Sequence, residues 1–196
     1  MQQVLHNVGV VDEPHPWLLI AYNTPKQPST ARVTAWRRLH RLGALYIGPS
    51  TCLLPAGLAD DHALATVAEG ITAAGGGIDT FHVEAFAPET HDGLLQRFNA
   101  DRDAEYAEVV DRAQALVAEL DREAERGKFN FAEVEENDAD LAKLRRWLEA
   151  IAGRDRYDAG GRAGAEQAVA EADRALQVFT ERSADAEHDD RPGELR

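Results

Sequence analysis

Acidic residues are absent from positions 14–59 of a chain that elsewhere carries all 35 of its Asp and Glu residues, and whose formal net charge is −14. The basic residues of that stretch are Lys26, Arg32, Arg37, Arg38 and Arg41. Positive potential is therefore gathered on one short segment, while the rest of the molecule repels polyanions. An anionic partner, whether a small oxyanion or nucleic-acid phosphate, is expected to meet the protein there. Cysteine is nearly missing too: Cys52 stands alone, which excludes an intramolecular disulfide framework and a multi-cysteine zinc site. No apolar run approaches the roughly 20 residues needed to span a bilayer, so no membrane partner is expected. The first sixteen residues lack a basic n-region and a cleavage pattern, so no signal peptide is expected, and a cytoplasmic location fits.

Proline thins out along the chain, with seven of its eight copies before residue 89. Charge divides in the same way, since residues 1–100 have a net charge of −3 and residues 101–196 a net charge of −11. These shifts predict an α+β module over 1–88, an acidic helical extension over 89–182 and a disordered polar tail over 183–196.

Within the module, the apolar run 17–22 reads as a buried strand, and residues 30–42 as a helix stopped by Gly43. Segments 44–47 and 51–54 read as two strands joined through Gly48-Pro49-Ser50. Residues 58–74 read as a second helix ended by Gly75-Gly76-Gly77, and 78–86 as a strand with one apolar face. The order is β-α-β-β-α-β, a ferredoxin-like module. Both helices are expected on one face of its sheet, with the extension available to cover the other.

Three helices are expected in the extension. On the first, Tyr106, Val109, Ala113, Leu116 and Leu120 form a heptad-like seam. Asn130 and Glu133 have capping-box spacing, which starts the second near residue 131. Ala165, Val169, Ala172, Leu176 and Phe179 line one face of the third, over about 163–180.

The first helix of the module puts Ala31, Ala35, Trp36, Leu39 and Leu42 on one arc, and Thr34, Arg37, Arg38 and Arg41 on the other. The polar arc is either an ordinary solvated face or an anion- or DNA-contacting surface, because guanidinium forks match phosphates and oxyanions. Arg32 projects onto the apolar arc, where it either snorkels or needs an acidic or anionic partner. Arg102 interrupts the seam of the long helix in the same way, with Asn99, Asp103 and Tyr106 around it. It either bridges to an acid across the helices or lines a polar pocket with Asn99, Tyr106 and His82. His82, Glu84 and Cys52 are too few donors for a specific metal site. The chain has no P-loop, dinucleotide fingerprint, H-E-x-x-H helix or nucleophile elbow. No catalytic residue, cofactor or metal ligand is assigned.

Trp17-Leu-Leu-Ile, the stretch PSTARVTAWRRL at 28–39, Leu42-Gly43-Ala44 and Leu53-Leu54-Pro55 together resemble the N-terminal domain of the chromate-resistance protein family ChrB. The likeness continues in FNADRDAEY at 98–106, Lys128-Phe129 and Glu135-Glu136-Asn137, and so spans about residues 17–182. The resemblance implies a ferredoxin-like module, similar to the middle domain of PaaX-type repressors, with a helical extension. It also implies chromate-responsive transcriptional control by a bacterial protein that releases promoter DNA when the oxyanion is present. The C-terminal chromate-resistance domain of typical members is not in this sequence, so sensing housed there would be lost. The combined expectation is a regulatory or sensory protein that binds DNA or a chromate-like oxyanion through Arg32, Arg37, Arg38, Arg41 and Lys26. The alternatives are a homodimerising interaction module, or a small-molecule binder or enzyme with a pocket around Arg102.

Overall fold

The structure is a computed structural model that describes residues 16–26 and 29–189. It divides into two compact units, residues 1–97 and 98–196. The sequence places the boundary at 88/89; the division falls inside a helix that begins at Pro88.

The first unit runs β1 (Trp17–Asn23), α1 (Thr30–Arg41), β2 (Leu45–Gly48), β3 (Thr51–Pro55), α2 (Asp61–Ala73) and β4 (Gly77–Val83). Its strands form one antiparallel sheet in the order β2-β3-β1-β4. The apolar run of β1 occupies an inner position, paired with β3 on one side and β4 on the other. Leu18, Ile20, Tyr22, Cys52 and Leu54 meet Ala35 and Leu39 of α1 and Val67 and Ile71 of α2 in one core, so both helices share a face of the sheet. Burying side chains of this kind contributes about 1.5–3 kcal/mol each. On the other face Trp17, Leu45 and Leu53 are also buried.

Local chemistry fixes the helix ends. Gly43 adopts φ 87° and donates to His40 O at 2.9 Å, while Ala44 N reaches Leu39 O at 3.0 Å, a left-handed stop that favours glycine. Asp60 caps α2, its Oδ1 accepting from Ala63 N at 2.7 Å. The strand β4 differs from expectation. It ends at Val83 and stands at the sheet edge; its Phe81 is 52% exposed, so its apolar face is not a buried one.

The second unit contains most of α3 (Pro88–Glu125), then α4 (Phe131–Ala152) and α5 (Arg162–Asp189). Tyr106, Val109, Ala113 and Leu120 of α3 pack with Leu141 and Ile151 of α4 and Ala165, Ala172 and Phe179 of α5. Asn130 Oδ1 accepts from Glu133 N at 3.0 Å, which places the start of α4 where the capping spacing puts it. The expected tail over 183–196 needs correction for its first part. Helix α5 continues to Asp189, and Ser183 is buried with its hydroxyl donating to Phe179 O at 2.9 Å. Residues 190–196 lie outside the described residues. Among the described residues no helix is long and apolar enough to cross a membrane.

Candidate functional site

Helix α1 is 12 residues long, about 18 Å at 1.5 Å per residue. Its buried arc is narrower than the wheel suggests and centres on Ala35 and Leu39. Trp36, expected inside, is 44% exposed and stacks on His40 at 5.2 Å with an 8° interplanar angle. Arg32 is exposed as well, so it needs no buried acidic partner. Two adjacent i,i+4 rows therefore face solvent: Arg32, Trp36 and His40 in one, Val33, Arg37 and Arg41 in the next. The side chains of Arg32, Arg37 and Arg41 make no hydrogen bond or ion pair among the described residues. Lys26 is exposed in the loop before α1.

Arg38 has a different environment. Its guanidinium crosses to α2, donates from Nη1 to Thr66 O at 3.0 Å and lies over Gly70, where a Cβ would be 2.6 Å from Nη1. The expected membership of Arg38 in the solvent-facing arc is thus corrected. It is half-buried and tied to α2 beside a cleft of about 320 Å³ between the helices.

The second unit brings four of the five pocket candidates together. Arg102 is 1% exposed; its Nε lies 3.1 Å from Glu105 Oε2, and its guanidinium sits over the Phe98 ring, 5.3 Å from the centroid. Burial pulls the Arg102 pKa below its ordinary value, with Glu105 opposing the shift and Arg154 adding to it. The same Glu105 oxygen lies 2.9 Å from Arg154 Nη2, so the cross-helix bridge runs through Glu105 rather than from Arg102 itself.

The loop over 153–161 supplies the other partners. Asn99 Nδ2 donates to Tyr157 O at 3.1 Å, Tyr106 OH donates to Asp155 Oδ2 at 3.0 Å, and Gly161 N donates to Asp103 Oδ1 at 2.7 Å. Tyr157 meets Phe98 edge-on at 5.2 Å, and burial pushes its phenol up to about 12. Sequence reasoning missed Arg154, Asp155 and Tyr157; a run of Arg, Asp and Tyr ahead of Gly160-Gly161 between two helices was the available signal.

His82 is not among these residues. It is exposed on β4 in the first unit, and its side chain makes no hydrogen bond or ion pair among the described residues. Cys52, which shares a sheet face with His82 two strands away, is buried, and desolvation pushes its thiol up to about 12. Among the described residues no group of three His, Cys, Asp or Glu side chains is arranged to hold a metal ion. A groove of about 450 Å³ between α3 and α4, lined in part by Arg112, Glu119, Lys143 and Trp147, includes none of the candidates.

The family model described as "Protein ChrB, N-terminal" matches the chain over residues 32–190. The chain belongs to the ChrB N-terminal family. The match takes in α1 from Arg32 onward and every residue of the Arg102 cluster. Membership relates the chain to chromate-resistance proteins. No curated protein matches it.

Proposed function

We propose that this ChrB N-terminal family member is a cytoplasmic, chromate-resistance-type regulatory protein that contacts DNA phosphates through α1. The observation that carries this reading is the solvent-facing trio Arg32, Arg37 and Arg41, unpaired among the described residues, on a helix without a single acid. Ordinary exposed helices mix signs to gain i,i+4 pairs; α1 forgoes that support and keeps three guanidiniums available for phosphate oxygens. Trp36 and Val33, 44% and 42% exposed between those arginines, offer apolar contact to sugar or base edges. The element order and the sheet order β2-β3-β1-β4 support a ferredoxin-like assignment for the first unit. On such a platform α1 is backed by the sheet through Ala35 and Leu39.

Affinity is expected to be modest, because the −14 net charge opposes the approach of DNA. Three phosphate contacts give a log–log salt slope of about −3. The test is fluorescence anisotropy of a labelled promoter duplex at about 50 and about 200 mM salt. Binding at low salt that vanishes in the triple variant Arg32→Glu, Arg37→Glu, Arg41→Glu supports the proposal. No binding of the unaltered protein at low salt rejects it. Because all three side chains are exposed, the variant is expected to keep the native circular dichroism spectrum.

Phe81 favours a second reading. A large apolar side chain, 52% exposed on the edge strand β4, suits homodimerisation through that edge. Light scattering on a sizing column tests it, and a strict monomer for the unaltered protein rules it out.

A further inference from the structure

We infer that the second unit contains a binding site for one small protonated oxyanion, of hydrogen-phosphate type, built from Arg102, Arg154 and Asn99. The argument starts from hydrogen-bonding capacity that the protein itself leaves unused. Arg102 is 1% exposed, yet its Nη1 is buried without an acceptor, and its Nε has only the ion-pair contact to Glu105. Arg154 spends Nη2 on the same Glu105 oxygen, and its own Nε is buried without an acceptor. Two guanidiniums thus share one carboxylate oxygen, and buried donors left over are costly unless something accepts from them.

Two neighbouring acids have partners of their own. Asp155 uses Oδ1 for Ala159 N at 3.0 Å and Oδ2 for the Tyr106 hydroxyl, while Asp103 Oδ1 holds Gly161 N. Their bonds set the loop over 153–161 against α3 and leave the spare guanidinium N–H groups to a ligand. One acceptor is spare as well: Asn99 Oδ1 is buried without a donor, because Nδ2 faces Tyr157 O.

The spare set is therefore several cationic N–H donors and a single neutral acceptor. A cation is repelled by it. A fully deprotonated oxyanion satisfies the guanidiniums but turns a lone pair toward Asn99 Oδ1. An oxyanion with one O–H fills both needs, its bare oxygens accepting from Arg102 and Arg154 and its hydroxyl donating to Asn99. The Phe98 ring lies against Arg102, with Tyr157 on its edge. Arg154 and Glu105 keep 15% and 18% of their side-chain surface exposed.

The probe is inorganic phosphate, with sulfate and chloride at matched ionic strength, read by thermal unfolding and calorimetric titration at neutral pH. Phosphate at ten times its dissociation constant is expected to raise the melting temperature by about 3–6 °C over chloride. Sulfate is expected to bind roughly tenfold more weakly, since it offers Asn99 no donor. Arg154→Gln, which leaves Glu105 paired with Arg102, is expected to weaken phosphate roughly tenfold or more. Asn99→Leu, which removes the acceptor for the hydroxyl, is expected to abolish the preference for phosphate over sulfate. The α1 triple variant is expected to keep the full phosphate response, so the outcome is independent of the DNA reading. Equal shifts in phosphate and chloride, a phosphate response that survives Arg154→Gln, or sulfate binding as tightly as phosphate would each overturn the inference.

Discussion

Removing the Glu105 carboxylate should be among the most damaging single changes in the second unit. Its Oε2 is 3.1 Å from Arg102 Nε and 2.9 Å from Arg154 Nη2, and Arg102 is 1% exposed. Glu105→Ala leaves the buried Arg102 charge without its ion-pair partner, and breaking a buried pair in this way costs about 3–5 kcal/mol. The complementary change is milder. Arg102→Met keeps an unbranched apolar stem and leaves Glu105 with Arg154. What it gives up is the contact over Phe98, about 0.5–2 kcal/mol. With a urea m-value of about 2 kcal/mol/M, the Glu105→Ala midpoint should fall by about 1.5–2.5 M and the Arg102→Met midpoint by less than about 1 M. Urea titrations followed by circular dichroism, in phosphate-free chloride buffer, measure both. A Glu105→Ala midpoint within about 0.5 M of the unaltered protein, or a reversed order of the two variants, would refute the reasoning.

Gly161→Ala should cost about 1–3 kcal/mol by urea unfolding, because its Cβ would lie 3.1 Å from both Asp103 Oδ1 and Tyr106 Cβ; Gly160→Ala, with nothing within 4 Å, should stay within about 0.5 kcal/mol. Asn130→Ala should cost about 1 kcal/mol in the same assay by removing the bond to Glu133 N that caps α4. Stability should be fully retained below about pH 9 and fall toward about pH 12, because Cys52 and Tyr157 are both raised to about 12 and the unfolded chain gives up those protons first. Urea midpoints across that range and a tyrosinate absorbance titration test the direction, and a midpoint that rises with pH above about 10 would contradict it.

The parts of the fold legible in the sequence are those decided by local chemistry. Gly43 stops α1, Asn130 caps α4, and the 3,4 spacing along α3 marks its buried seam. What escaped was decided by neighbours distant in sequence. Arg38 looks solvent-facing on a wheel of α1 alone; only the missing side chain at Gly70, 32 positions later, lets its guanidinium lie across α2. The strand β4 alternates convincingly, but alternation cannot say that the strand will stand at an edge. Past residue 182, α5 has no apolar periodicity to read, yet Ser183 fits the interior by returning its hydroxyl to Phe179 O, so the helix continues. Arg102 was conspicuous as a charge on an apolar seam, whereas Arg154, 52 residues on in an irregular loop, carried no periodic signal.

The arginines of this chain fall into two electrostatic regimes, and the difference assigns them different work. Arg32, Arg37 and Arg41 of α1 stand in water, where ions at physiological strength screen charges beyond about 8 Å, so whatever they hold is released steeply as salt rises. Arg102 is 1% exposed with the Phe98 ring against it, and its pairing with Glu105 is screened far less. Chloride added to the protein should therefore strip an α1-bound polyanion while leaving the stability of the second unit nearly unchanged. An oxyanion held by Arg102 and Arg154 should survive salt concentrations that abolish contact through Arg32, Arg37 and Arg41. The two proposed functions should be separable by ionic strength alone, because solvent reaches one set of guanidiniums and is largely kept from Arg102.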